Sequence, residues 1–193
     1  IRKGFNGRAG VEWTITPSTF WTNAINYQKN SGDDRDLINY YNYDAAHNFT
    51  GTTYRLNNAD TGSENFEYTS NLIKNFNDKG HKITADLSIS RNTDDSQSTI
   101  EDSPRFDTTL NDQIQKQVLF QTDYVLPLGK GGQFEAGYKG SFGDLNNVYY
   151  VKDDTGAVNP NLSNTLEYKE NINALYTQYG FKANNFSYLF GLR

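Results

Sequence analysis

Residues 65–90, reading NFEYTSNLIKNFNDKGHKITADLSIS, constrain the chain more than any other stretch. In the first arm Phe66, Tyr68, Leu72 and Phe76 hold even positions between Asn65, Glu67, Thr69, Asn71 and Asn75. In the second, Ile83, Ala85, Leu87 and Ile89 hold odd positions between Lys82, Thr84, Asp86, Ser88 and Ser90. A period of two sends alternate side chains to opposite faces, so both arms are β-strands. Asn77-Asp78-Lys79-Gly80 joins them, and glycine supplies the positive φ of a tight turn, so the arms pair antiparallel. Each arm runs about ten residues, where soluble strands run about five or six and a strand tilted across a bilayer needs about nine to eleven.

The composition admits that reading. No segment approaches the roughly eighteen apolar residues of a membrane helix, and the 35% hydrophobic content and mean hydropathy of -0.79 look those of a soluble protein. A membrane β-strand shows lipid only every second residue, so a barrel stays polar on average. The 14 Tyr and 12 Phe against 4 Pro favour strands over helices. A net charge of -5 gives no basic footprint for nucleic acid, which is not expected as a partner. The absence of Cys removes disulfides and thiolate chemistry and suits an exported protein. The first residue is Ile1 and nothing near it resembles a signal peptide, so a processed chain or a piece of a longer one is expected.

The same alternation recurs along the chain. Residues 5–16 set Phe5, Gly7, Ala9, Val11, Trp13 and Ile15 against Asn6, Arg8, Gly10, Glu12, Thr14 and Thr16. Pro17-Ser18 turns into a strand over 20–28 with Trp21, Ile25 and Tyr27 on one face, interrupted by Asn23. Residues 29–64 read as a long polar excursion with room for a hairpin of its own, at 37–43 and 49–56. A second polar loop is expected over 91–111 and a third around 147–164. The fifth strand, 114–126, opposes Ile114, Val118, Phe120, Tyr124 and Leu126 to Gln115, Gln117, Gln121 and Asp123. The glycine-rich turn 127–133 leads to a sixth, with Phe134, Ala136, Tyr138, Gly140 and Phe142 against Glu135, Gly137, Lys139, Ser141 and Gly143. The seventh, 166–181, changes face between Ile172 and Leu175, which predicts a bulge. The eighth, 186–193, aligns Phe186, Tyr188, Phe190 and Leu192.

Short turns at 17–18, 77–80, 127–133 and 183–185 alternate with long polar segments, the plan of outer-membrane barrels with periplasmic turns and extracellular loops. Aromatics flank the apolar bands: Trp13, Phe76, Tyr124, Phe134 and Phe186 beside the short turns, Phe66, Phe142 and Tyr168 toward the long segments. These predict interface girdles. The expected fold is therefore all-β: an antiparallel transmembrane barrel with about eight strands in this chain. The first strand and the last are expected not to pair with each other, which makes residues 1–193 part of a larger barrel domain.

The wording NFNDKGHKITADLS at 75–88, FEAGYKG at 134–140, NALY at 173–176 and the Gly191-Leu192-Arg193 segment resembles the outer-membrane barrel region of TonB-dependent receptor-like proteins of Bacteroidetes. That resemblance implies a barrel of about 22 strands closed by a plug, for which this chain has no counterpart. It implies energy-coupled uptake of a nutrient across the outer membrane of a Gram-negative cell. The implied partners are outer-membrane lipid, a TonB-type energy-transducing system, and a surface lipoprotein or another envelope-complex component. Two other readings stay open: a structural or interaction barrel within a larger envelope assembly, and a small complete barrel of eight strands.

No residue pattern asks for catalysis, so no enzyme, catalytic residue, metal or cofactor is expected. His47 and His81 read as solvated turn histidines. The acids Asp33, Asp34 and Asp36, the pair Asp94 and Asp95, and the pair Asp153 and Asp154 lack calcium-loop spacing and read as solvated. Gly129-Lys130-Gly131-Gly132 lacks phosphate-loop spacing and reads as a turn. The candidate functional surface is the face opposite the apolar stripe, carrying Arg8, Glu12, Lys82, Asp86, Gln115, Gln117, Gln121, Asp123, Glu135 and Lys139. In a barrel these residues line the lumen, where they meet water, a plug or passing solute.

Overall fold

A computed structural model describes residues 1–102, 105–129 and 131–193. Eight strands follow one another: β1 Arg2–Thr16, β2 Thr19–Tyr43, β3 Phe49–Asn75, β4 Lys82–Asp102, β5 Arg105–Leu128, β6 Gly132–Lys152, β7 Asn164–Ala183 and β8 Phe186–Leu192. They form a single sheet in chain order, every neighbouring pair antiparallel. The sheet is unclosed, because among the described residues β1 pairs only with β2 and β8 only with β7. Gly80 takes φ 90° in the β3–β4 turn, where the sequence places a tight hairpin. Of the glycine-rich turn after β5, Lys130 lies outside the described residues, as do Ser103 and Pro104 of the segment 91–111.

The register fixes which side chains share a face. One row of partners runs Val11, Asn23, Ser70, Leu87, Phe120, Gly140 and Asn173; the next runs Trp13, Trp21, Leu72, Ala85, Thr122, Tyr138 and Leu175. The apolar stripes of separate strands therefore merge into one continuous band on one face. That band is oblique. The row holding Thr16, Thr19, Lys74, Ile83, Tyr124, Ala136, Thr177 and Leu192 lies at the short-turn end of the band in β1, whereas in β8 the band runs on past that row through Phe190 and Tyr188 to Phe186. The band slides by roughly one residue per strand, and with about 3.3 Å per residue and about 4.8 Å between strands this is a strand tilt of about 35 to 40°. Membrane barrels tilt their strands by about 35–45°.

Three expectations are corrected here. The segments 29–64 and 91–111 are not loops: the hairpin allowed for at 37–43 and 49–56 does form, with Leu37 opposite Leu56, but it continues β2 and β3, which run 25 and 27 residues and stay paired out to Tyr43 and Phe49, and β4 and β5 stay paired to Asp102 and Arg105. Alternation fades there because both faces of the extension meet water, while the backbone ladder holds regardless of side-chain polarity. The third segment is a loop, at 153–163. Second, the bulge predicted in β7 is missing: the β6–β7 register is continuous from Gly132↔Phe181 to Tyr149↔Asn164. Ile172 simply lies on the polar face, two strands from Leu119 and separated from it by Ser141. Third, Tyr168 shares that face, opposite Leu145, so it belongs to no girdle with Phe66 and Phe142.

At the β2–β3 tip, Asp44 accepts hydrogen bonds from the backbone N–H of Ala46 (2.9 Å) and Asn48 (2.8 Å) and from the Asn48 side chain (3.1 Å). Asp153 does the same for Thr155 and Ala157 after β6. The Asn48 backbone N–H, above all, holds the Asp44 carboxyl below its ordinary range, and the Thr155 hydroxyl does so for Asp153. A depressed carboxylate stabilises the folded tip above the unfolded-state value of about 3.9, and that contribution is lost as pH falls through the lower folded value. Amide exchange at Asn48 should therefore stay slow at pH 5 and accelerate below about pH 4, whereas in Asp44→Asn the acceleration should vanish. An unchanged pH profile in that variant would refute the turn's dependence on the carboxylate.

Candidate functional site

The sheet has no core of the ordinary kind. Among the described residues Val151 is the one buried apolar side chain, while Trp13, Phe66, Phe120, Phe142, Leu175 and Phe190 are all exposed. A stable soluble fold stacks two layers so that each apolar face is covered. Here one layer carries a mainly apolar face with a few polar side chains set into it, and another apolar phase satisfies it.

Several polar groups inside that band are matched to a partner. Asn23, which interrupts the β2 stripe, accepts a bond from the Tyr68 hydroxyl (2.7 Å). Ser70 accepts from Trp21 Nε1 (2.9 Å), and Asn173 from the Tyr138 hydroxyl (2.6 Å). Thr122 and Thr177 donate to the backbone carbonyls of Thr84 (3.0 Å) and Glu135 (3.1 Å). Such pairing within the face is what a waterless surrounding demands, since an unpaired polar group there costs several kcal/mol. At the short-turn edge His81 is half-buried, packed at a tilt against Phe76 with ring centroids 4.5 Å apart and hydrogen-bonded to the Tyr124 hydroxyl at 2.8 Å. It does not face solvent as expected, and its part is to fasten a turn to β5. His47 is exposed at the β2–β3 tip.

The opposite face gathers all ten candidate residues. Glu12, Asp86, Gln121 and Lys139 lie in one row with Thr22 and Asn71. Asp123 belongs to the next row, and Lys82 and Glu135 both sit opposite Val125 in the row beyond it. Arg8 and Gln117 share a row on the long-hairpin side, and Gln115 follows one step further out. Asn71 Nδ2 donates to Asp86 at 2.6 Å and Asn65 Nδ2 to Asn92 at 2.5 Å, so neighbouring strands are laced by amide-to-oxygen bonds. Charges of both signs stand in close rows, a surface suited to hydrated solute or to a polar protein element rather than to one charge class.

One residue the sequence reading passed over organises this face. Tyr176, on β7, lies across Gly137 of β6 and donates its hydroxyl to Asp123 Oδ1 on β5. Gln121 Nε2 donates to the other carboxylate oxygen at 2.9 Å. Gly137 has no Cβ to block the ring, so the tyrosine reaches two strands away. The signal was present as a glycine inside a strand directly opposite an aromatic of the next strand. Beside it a hollow of ≈ 530 Å³ is lined by Gln121, Asp123, Lys139, Tyr176, Gln178 and Arg193.

A family model described as an outer membrane protein beta-barrel family matches residues 74–193, well over half of the chain. No curated protein matches the sequence.

Proposed function

We propose, since this chain belongs to the outer membrane protein beta-barrel family, that its sheet is one wall of a larger barrel that takes up a nutrient across the outer membrane. In this reading the barrel has about 22 strands, draws on a TonB-type energy-transducing system and works with a surface lipoprotein or similar envelope partner. The apolar band faces lipid, and the face of Glu12, Asp86, Gln121 and Lys139 lines the lumen. The observation that carries the reading is the unclosed sheet. Backbone groups along the outer edges of β1 and β8 have no water to bond inside hydrocarbon, so each edge needs a further strand. An eight-stranded closure would also crowd Arg8, Glu12, Asp86, Asp123, Glu135 and Lys139 into an interior that side chains alone fill, whereas a wider lumen hydrates them. The resemblance to receptor-like proteins supports uptake as the purpose of that lumen.

A strand count in the full-length protein tests the architecture. Both β1 and β8 should join strands outside residues 1–193, and a ladder between β1 and β8 would refute it. Photo-crosslinking of the full-length protein to the inner-membrane transducer tests the energy source; no crosslink in respiring cells would leave a structural or interaction barrel. The long hairpins should lie outside the cell. A cysteine at Ala46 should react with an impermeant reagent on intact cells and one at Asp78 should not; the reverse pattern would invert the topology.

A further inference from the structure

We infer that the apolar face carries, at its long-hairpin edge on β4–β7, a docking surface for the net-anionic phosphate headgroup of a lipid in the outward membrane leaflet. Arg91, Lys116, Asp144 and Lys169 occupy one row of that face, next to the row of Ile89, Val118, Phe142 and Asn171 that closes the apolar band. Three cations and one carboxylate thus stand side by side, on a chain whose overall charge is -5. Ion pairs among the described residues are Arg2–Asp34 and Arg105–Asp107, so none of the three cations is neutralised in one, although Asp144 lies between two of them.

The geometry fits a lipid rather than a free anion. A shallow hollow of ≈ 280 Å³ is lined by Lys116 and Lys169 together with Val118, Phe142, Asp144 and Asn171. The cationic row therefore borders the end of the apolar band, the order of groups a phospholipid presents from headgroup to acyl chain. Long cationic side chains at such a boundary lay their stems on the apolar surface and hold their charge at headgroup level. The patch is local to one edge and one sector. In the next row out, Lys29 of β2 faces Glu64 of β3. At the short-turn edge Lys74 Nζ is engaged by Ser18 (2.8 Å) and Thr19 (3.0 Å).

The inference rests on the apolar face being the lipid face, and the test separates the two. The full-length protein is placed in phosphatidylcholine vesicles containing trace spin-labelled phosphatidylcholine or spin-labelled phosphatidic acid, and the motionally restricted fraction is measured for each label. Restricted phosphatidylcholine reports lipid contact as such, and its absence would refute the lipid face and the docking surface with it. The phosphatidic acid label should be favoured, and the double variant Lys116→Gln/Lys169→Gln should lower that preference about fivefold or more. Asp144→Asn should raise it, and Lys79→Gln in the opposite turn should leave it unchanged. Equal restriction of both labels in the unaltered protein, or an unchanged preference in the double variant, would overturn the proposal. Inorganic phosphate at matched ionic strength should not release the label; release would identify a free-anion site instead. Retained heat-modifiable mobility on gels shows that the variants are folded.

Discussion

Leu87→Arg should destabilise the inserted protein by about 2 to 4 kcal/mol, while Ser88→Arg, one residue on, should leave stability nearly unchanged. The band in β4 extends from Ile83 to Ile89, so Leu87 lies near its centre, flanked across the ladder by Ser70 and Phe120. An arginine there has no water within reach, and its neighbours offer no carboxylate. Ser88 points to the other face, beside Thr69 and Leu119, with Glu67 at 3.4 Å from its hydroxyl. The protein contains its own control, because Arg91 stands on the same face as Leu87 but past the band's edge. The cost should therefore fall with depth, from Leu87 through Ile89 to the native Arg91. A refolding titration of the full-length protein in lipid reads all of these. A loss for Ser88→Arg without one for Leu87→Arg would exchange the lipid and lumen faces.

What could be read from the sequence was whatever water and an apolar phase impose on opposite faces of one strand. Residues 83–89 alternate because Ile83, Ala85, Leu87 and Ile89 share the apolar band and Thr84, Asp86 and Ser88 do not. Parity then carries across every turn, which is why ten candidates chosen strand by strand lie on one face. The hairpin extensions were only partly legible for the same reason: patches at 37–43 and 49–56 suggest a hairpin but not its continuity with β2 and β3. Between Asp33 and Tyr43 neither face meets an apolar phase, and no period is imposed on the side chains although the ladder persists. In β7 the presence of Ile172 among polar neighbours mimicked a change of register, when the strand merely places an apolar residue on the polar face. Contacts that skip a strand leave no periodic trace at all, and Tyr176 reaching Asp123 is of that kind.

Gly137→Val should act through that contact. A Cβ at position 137 would collide with the Tyr176 ring, so the tyrosine must leave β6 and its hydroxyl must leave Asp123. Forcing a side chain out of a packed position costs about 1 to 3 kcal/mol, and the carboxylate left with Gln121 alone adds to this. Valine itself favours strands, so a propensity argument predicts the opposite sign. The two effects are separable by a second substitution. In Tyr176→Ala the ring is already gone, and Gly137→Val introduced there should be neutral or stabilising. Tyr176→Phe should keep the ring over Gly137 and lose only the bond to Asp123, costing about 1 kcal/mol. Lipid refolding titrations of the four variants give the coupling directly. If Gly137→Val costs the same with and without Tyr176, the glycine serves the backbone alone, and the link from β7 across β6 to β5 does not hold the wall together.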